Sequence, residues 1–185
     1  MEKELEQELK IMLSYREYNL LLPEVALGAT QTNYYFSSKS SEYSARIREK
    51  QGTYTLTAKQ RLSNSNGIAL NREYSSEISD FTAKALISDG ITTKTMKDIL
   101  ELTIESPYMF VGELVTFRVK YVWRGYAFEL DKNTYLGRTD YELECENTDY
   151  EQLEILKQLL IREFGLTIRE SQGKMQRFFN AKEGL

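Results

Sequence analysis

Residues 4–11 read Glu4-Leu5-Glu6-Gln7-Glu8-Leu9-Lys10-Ile11, with charged and apolar side chains in alternation. Successive strand residues point to opposite faces, so Glu4, Glu6, Glu8 and Lys10 share one face and Leu5, Leu9 and Ile11 the other. The same parity returns along the chain. Arg46, Arg48 and Lys50 align against Tyr43, Ala45 and Ile47, and Thr55, Thr57, Lys59 and Arg61 share a face. Arg118 and Lys120 oppose Phe117, Val119, Tyr121 and Trp123. Glu129 and Asp131 oppose Tyr126, Phe128 and Leu130, while Glu142, Glu144 and Glu146 oppose Tyr141, Leu143 and Cys145. Strands are therefore predicted near 4–12, 33–37, 43–50, 54–61, 69–75, 113–123, 126–131 and 140–146.

One strand with a charged face ordinarily belongs to an antiparallel sheet with one solvated face. Here the signs are sorted by strand: some carry runs of carboxylates, others runs of Arg or Lys. Like charges repel along a strand face, and a surface serving only solubility intersperses them. Acidic strands that bind cations and basic strands that bind an anion explain the sorting. The expected fold is α+β, an antiparallel closed β-barrel with a polar, charged interior and an apolar outside packed against helices. Barrels of about eight strands can enclose a small ligand. Helices are predicted from Ser14-Tyr15-Arg16-Glu17, a capping-box pattern, toward Leu22, over 76–88 with Ile78, Phe81, Ala85 and Leu86 on one face, and over 174–182. Another is predicted after Thr148-Asp149-Tyr150-Glu151, where Leu153, Leu156, Leu160 and Phe164 recur at helical spacing. Ser63-Asn64-Ser65-Asn66-Gly67 reads as a hairpin loop.

Composition narrows the chemistry. The chain has 185 residues, read as one domain over 1–185, and a formal net charge of −4. No overall basic field draws nucleic acid or an anionic membrane, so any bound anion must be met by locally concentrated cations. No apolar run reaches the roughly 20 residues that span a bilayer. The lone cysteine, Cys145, rules out an intrachain disulfide framework. A cytoplasmic protein is expected. With no histidine in the sequence, Ser/His and Cys/His nucleophiles and imidazole zinc sites drop out. Carboxylates, Lys, Arg, Tyr and hard cations remain. A triphosphate suits that inventory, because its transfer needs charge neutralised and held in line. Arg offers a planar fork to phosphate oxygens, Lys a point charge, and Mg²⁺ or Mn²⁺ takes carboxylate oxygens.

Taken in order, these residues resemble the CYTH domain, also called the triphosphate tunnel metalloenzyme superfamily, and within it the bacterial branch found in Gram-positive organisms. Glu6-Gln7-Glu8-Leu9-Lys10 fits its Glu-x-Glu-x-Lys opening, and Asn33-Tyr34-Tyr35-Phe36 its aromatic strand. Arg46-Ile47-Arg48, Thr57-Ala58-Lys59, Arg72-Glu73, Arg118-Val119-Lys120, Asp131, Glu142-Leu143-Glu144 and a late Lys174 follow in family order. Ser37, where the family often has Asp, and Gly173, where Ser commonly precedes the late lysine, depart from the pattern.

The resemblance implies an eight-stranded antiparallel tunnel. It also implies Glu6, Glu8, Asp131, Glu142 and Glu144 as holders of Mg²⁺ or Mn²⁺. Lys10, Arg46, Arg48, Lys59, Arg118, Lys120 and Lys174 would contact phosphates, and Glu73 would orient a basic neighbour. Lys59 and Glu8 are expected at the reacting end. Tyr35 is expected either there or as a packing residue. Arg61, Glu129, Glu146 and Arg177 have no family counterpart and are expected at the surface. Metal-dependent hydrolysis of a small inorganic, thiamine or nucleoside triphosphate is the first expectation. An adenylate cyclase or a non-catalytic polyphosphate-binding module are the alternatives. No adenine pocket is readable, and an RNA-end triphosphatase draws no support from the acidic balance. Oligomeric state is left open.

Overall fold

The computed structural model describes residues 1–39, 42–169 and 172–184. The first strand, β1 (Glu2–Leu13), leads through α1 (Tyr15–Leu21) into β2 (Gly28–Ser37), β3 (Ser44–Lys50), β4 (Thr53–Ser65) and β5 (Ile68–Ile78). Two helices, α2 (Asp80–Asp89) and α3 (Thr93–Leu100), then precede β6 (Met109–Trp123), β7 (Tyr126–Tyr135) and β8 (Arg138–Glu146). The chain ends in α4 (Tyr150–Phe164) and α5 (Lys174–Lys182). All eight strands close into one barrel in the order β1-β5-β4-β3-β2-β6-β7-β8.

Strand parity carries through. Leu9, Ile11, Val119, Phe128, Leu130, Leu143 and Cys145 face outward and are buried against Leu153, Leu156 and Leu160 of α4, with Tyr18 and Leu21 of α1. On the other flank Ala45, Ile47, Leu56 and Ala58 pack against Ala83 and Leu86 of α2 and Met96 and Leu100 of α3. Each such leucine or isoleucine contributes about 1.5–3 kcal/mol by leaving water, so the helices hold the barrel from outside and the interior is free to be polar. Asn66 and Gly67 both take positive φ at the β4–β5 hairpin, the geometry of a two-residue type I′ turn.

Four local expectations shift. The helix foreseen over 76–88 begins at Asp80, because residues up to Ile78 continue β5 and pair with β4 (Leu56↔Ser76, Tyr54↔Ile78). Ser79 is its cap, its Oγ accepting from Thr82 N at 3.0 Å. Its buried face is Ala83 and Leu86; Phe81 is 83% exposed. The cap of α4 is Asp149, not Thr148. The second strand starts at Gly28, earlier than read, and α3 was not foreseen at all. The α1 capping box does form: Ser14 N donates to Glu17 at 2.7 Å and Glu17 N to Ser14 Oγ at 3.2 Å.

The last helix fills part of the barrel interior. Phe178 is wholly buried against the inward-facing Tyr35, Leu114 and Tyr135, which together make an apolar floor. Gly112 makes room for it: a methyl at this position would overlap the Phe178 ring, and φ is +147°. The β2–β6 register shifts here, with Tyr35 opposite Gly112 but Phe36 opposite Phe110. Gly112→Ala is expected to loosen α5, costing about 1–3 kcal/mol by overpacking. Chemical denaturation alongside hydrogen exchange of the α5 amides measures it; unchanged exchange would mean that α5 does not depend on this contact. Among the described residues no helix is long and apolar enough to cross a membrane.

Candidate active site

Above the Phe178 floor lies a cavity of about 370 Å³ whose lining includes Glu8, Lys10, Arg46, Arg48, Lys59 and Arg118. Closure of the barrel sets two walls against each other. One is acidic, from β7 and β8 with the carboxylates of β1; the other is basic, from β3 and β4.

On the acidic wall Asp131, Glu142 and Glu144 are all buried, and one oxygen of each lies within 4.8 Å of the others. Arg118 grips the pair beside it, with Nε donating to Asp131 Oδ1 at 2.7 Å and Nη2 reaching Asp131 Oδ2 at 2.5 Å and Glu144 Oε2 at 2.7 Å. Lys174 Nζ sits among all three carboxylates, 2.9 Å from Asp131 and 3.0 Å from Glu144, and also pairs with Glu142. Burial opposes ionisation of Glu142 and Glu144. Lys174 with Arg177 for the first, and Lys10 with Lys174 and Arg118 for the second, nevertheless hold both well below the usual carboxylate range. Glu142 and Glu144 are two apart on β8, and their registers with β7 (Asp131↔Glu142, Glu129↔Glu144) bring Asp131 alongside.

The carboxylates of β1 join through lysines. Lys10 Nζ is 2.6 Å from Glu144 and 3.6 Å from Glu8, while Lys59 pairs with Glu6 and lies 3.6 Å from Glu8. Glu73 stands between Arg46 at 3.6 Å and Lys59 at 3.9 Å, which is the arrangement an orienting carboxylate needs. Arg48 is held differently from Lys10, Arg46, Lys59, Arg118 and Lys174, which all pair with carboxylates. Its Nε donates to Asn33 Oδ1 at 3.1 Å, and among the described residues it has no carboxylate partner. Burial, with Arg46 and Arg118 nearby, pushes its pKa down to about 10. Lys120 stands at the mouth, 62% exposed and paired with Glu129. Tyr35 borders the cavity and packs on Phe178 with ring centroids 5.6 Å apart, so it touches both the charged space and the floor. All the residues expected at the site thus converge on one interior.

Four residues expected at the surface also meet this interior, Arg61 and Glu146 from its exposed rim. Glu129 pairs with Arg118 and Lys120. Arg61 lines the cavity and donates to Asn71 Oδ1 at 2.7 Å. The Glu146 carboxyl, on the lining, is pushed up to about 7 by burial and by Glu6 and Glu129. Arg177, one helical turn after Lys174, pairs with Asp140 at 2.8 Å and Glu142 at 2.9 Å. For the first three, strand parity already marked the interior face. For Arg177 the signal is its helical spacing from Lys174. Gln31 and Asn33 were also missed: both are buried on the inward face of β2 with amide nitrogens lacking a partner.

The donor set suits a hard cation. Three buried carboxylates with converging oxygens are the ligands that Mg²⁺, Mn²⁺ or Ca²⁺ takes. Buried ion pairs contribute little net stability, since desolvation offsets their attraction, and apolar residues of similar size would serve folding as well. So many together, with Arg48 beside them lacking an ion pair among the described residues, argue for a charged ligand.

Known proteins agree with this geometry. A Bacillus subtilis (strain 168) protein named "Putative triphosphatase YjbK" is 28% identical over 98% of each chain. A solved Bacillus halodurans protein, described as a putative adenylate cyclase, is 28% identical, covering 97% of this chain and 100% of that one, with a TM-score of 0.76. HpAC1 from Hippeastrum, 23% identical over 95% of this chain and 96% of its own, shares the fold with a TM-score of 0.77. The family model for the CYTH domain matches residues 4–179, from the first glutamate strand to the helix that floors the barrel, and the chain belongs to that family.

Proposed function

We propose that this chain hydrolyses a small triphosphate with Mg²⁺ or Mn²⁺ inside its barrel. The observation that carries the reading is the opposition of the two walls, with Arg48 half-buried on the basic one and, among the described residues, without a carboxylate partner. An uncompensated cation in a low-dielectric site is costly to the fold and attracts an anion strongly. The cavity is at the small end of the roughly 300–1,000 Å³ typical of small-molecule sites, which suits a polyphosphate chain better than a macromolecule. The 28%-identical relative from Bacillus subtilis carries a triphosphatase name.

Each set of residues then has a task. Arg46, Arg48, Lys10, Lys59 and Arg118 hold the phosphate oxygens, with Lys120 at the mouth and Lys174 at the inner end. Asp131, Glu142 and Glu144, with Glu6 and Glu8, are the groups that would hold the divalent cation. Bound there, that cation neutralises phosphate charge and lowers the cost of water attack on phosphorus. Glu73 keeps Arg46 and Lys59 aimed inward. As water oxygen bonds to the terminal phosphorus and the bridging P–O bond breaks, the water passes a proton to a phosphate oxygen and negative charge grows on the leaving oxygen. Lys59 and the arginines stabilise it. Tyr35 and the Phe178 floor close the inner end to bulk water.

The test is phosphate release from tripolyphosphate, thiamine triphosphate and ATP with each metal. Metal-dependent release from at least one, abolished by chelation, is the expected result; no turnover on any would sink the reading. The name of the Bacillus halodurans neighbour keeps a cyclase in view. Cyclic AMP and pyrophosphate as the products from ATP would establish that alternative.

A further inference from the structure

The acidic trio is already saturated. Asp131 accepts from Arg118 at both oxygens, Glu142 Oε2 from Arg177, and Glu144 Oε2 from Arg118 and Oε1 from Lys10. Asn133 donates to Glu142 Oε1 at 3.2 Å. Among the described residues only one cation touches all three carboxylates, and it is Lys174. The dipole of its own helix does not favour its charge there. Lys174 is the first residue of α5, after Gly173, which makes no side-chain cap bond. A helix N-terminus carries partial positive charge and disfavours a cation. The trio alone therefore holds the ammonium, and the long flexible stem of lysine permits another position.

We propose that Lys174 is a tethered counter-ion of the trio, exchanging with the divalent cation: metal entry displaces its ammonium toward the cavity, where it meets the phosphates. The inference rests on the proposed metal-dependent triphosphatase. Two positive ions cannot share the same three oxygens a few ångströms apart without strong repulsion, and Arg118, Arg177 and Lys10 already balance the carboxylates. Lys174 also lines the cavity, so leaving the trio brings it to the anion without moving the helix far. Without metal the basic wall and Lys174 are held apart; with metal they face the same ligand.

Calorimetry with Mn²⁺ alone, with no triphosphate, tests this. Lys174→Met is expected to bind Mn²⁺ at least about 10-fold more tightly than the native chain, since a competing charge is gone. Lys174→Arg, which keeps the charge, is expected to bind no more tightly than the native chain. Equal or weaker affinity in Lys174→Met overturns the inference, as does equal tightening in both variants or absence of binding in all three. Should Lys174→Met be too unstable for calorimetry, its melting temperature is measured with and without Mn²⁺. A larger metal-dependent gain than in the native chain supports exchange, and an equal or smaller gain overturns it. Turnover is a separate readout. Tightened Mn²⁺ binding in Lys174→Met with no hydrolysis by the native chain would defeat the proposed function and leave the exchange standing, while native hydrolysis with unchanged affinity in the variant would do the reverse.

Discussion

Arg48→Ala is expected to lower triphosphate turnover by at least about 10²-fold, the scale of losing one electrostatic stabiliser, while leaving the fold as stable as before or more so. The two halves have one cause. Arg48 is a base whose pKa falls to about 10 in the folded chain, through burial and the nearby Arg46 and Arg118. A base with its folded pKa below the unfolded one binds its proton less well when folded. Its charged form therefore costs stability at neutral pH, and the cost is relieved only as pH rises through the folded pKa. Removing the side chain relieves that repulsion and gives up the bond to Asn33 and a smaller attraction to Glu73. The measurements are kcat/KM with the preferred substrate and the thermal midpoint. A large stability loss alongside the rate loss would mean that Arg48 is structural.

Glu144→Gln is expected to behave oppositely, losing both activity and stability. Glu144 is the shared acceptor of Lys10, Arg118 and Lys174, and it is buried. Breaking such a network leaves uncompensated buried charge, for which about 3–5 kcal/mol is typical. For a chain of this size that lowers the melting temperature by about 10 °C. The variant also removes one donor of the trio, so Mn²⁺ affinity and metal-dependent turnover should fall together. A melting temperature within about 2 °C of the native chain, where each kcal/mol is worth some 2–4 °C, would show that the network is not strongly coupled. The contrast between Arg48 and Glu144 separates what is held for ligand from what is held for the fold, at two positions of one cavity.

Much of this site could be read from alternation alone. Glu6, Glu8 and Lys10, or Arg46 and Arg48, share a face because strand geometry repeats every two residues, a property local to the backbone. The sorting of charge by strand made an enclosed ionic interior the better reading than a solvated sheet, and the barrel has that interior. The failures were also local in origin. Ser75-Ser76-Glu77-Ile78 has no pattern that separates strand from helix, and pairing with β4 settled it as strand. Short α3, with a single turn or two of pattern, gave too little periodicity to stand out. Arg61, Glu129 and Glu146 were on the inward face by parity. All three line the cavity, Glu129 half-buried and Arg61 and Glu146 still exposed at its rim.

Face membership, then, follows from the chain's own spacing, since each residue's direction depends only on the residue before it. Which carboxylate meets which cation does not. Lys174 reaches Glu144 across thirty positions of sequence, and Arg118 reaches Asp131 across thirteen. Those meetings exist only because strand register closes the barrel and α5 enters it beside Gly112. Spacing cannot say that Arg48 would be left without a partner or that Lys174 would be ringed by three, because both depend on long-range distances that closure alone sets.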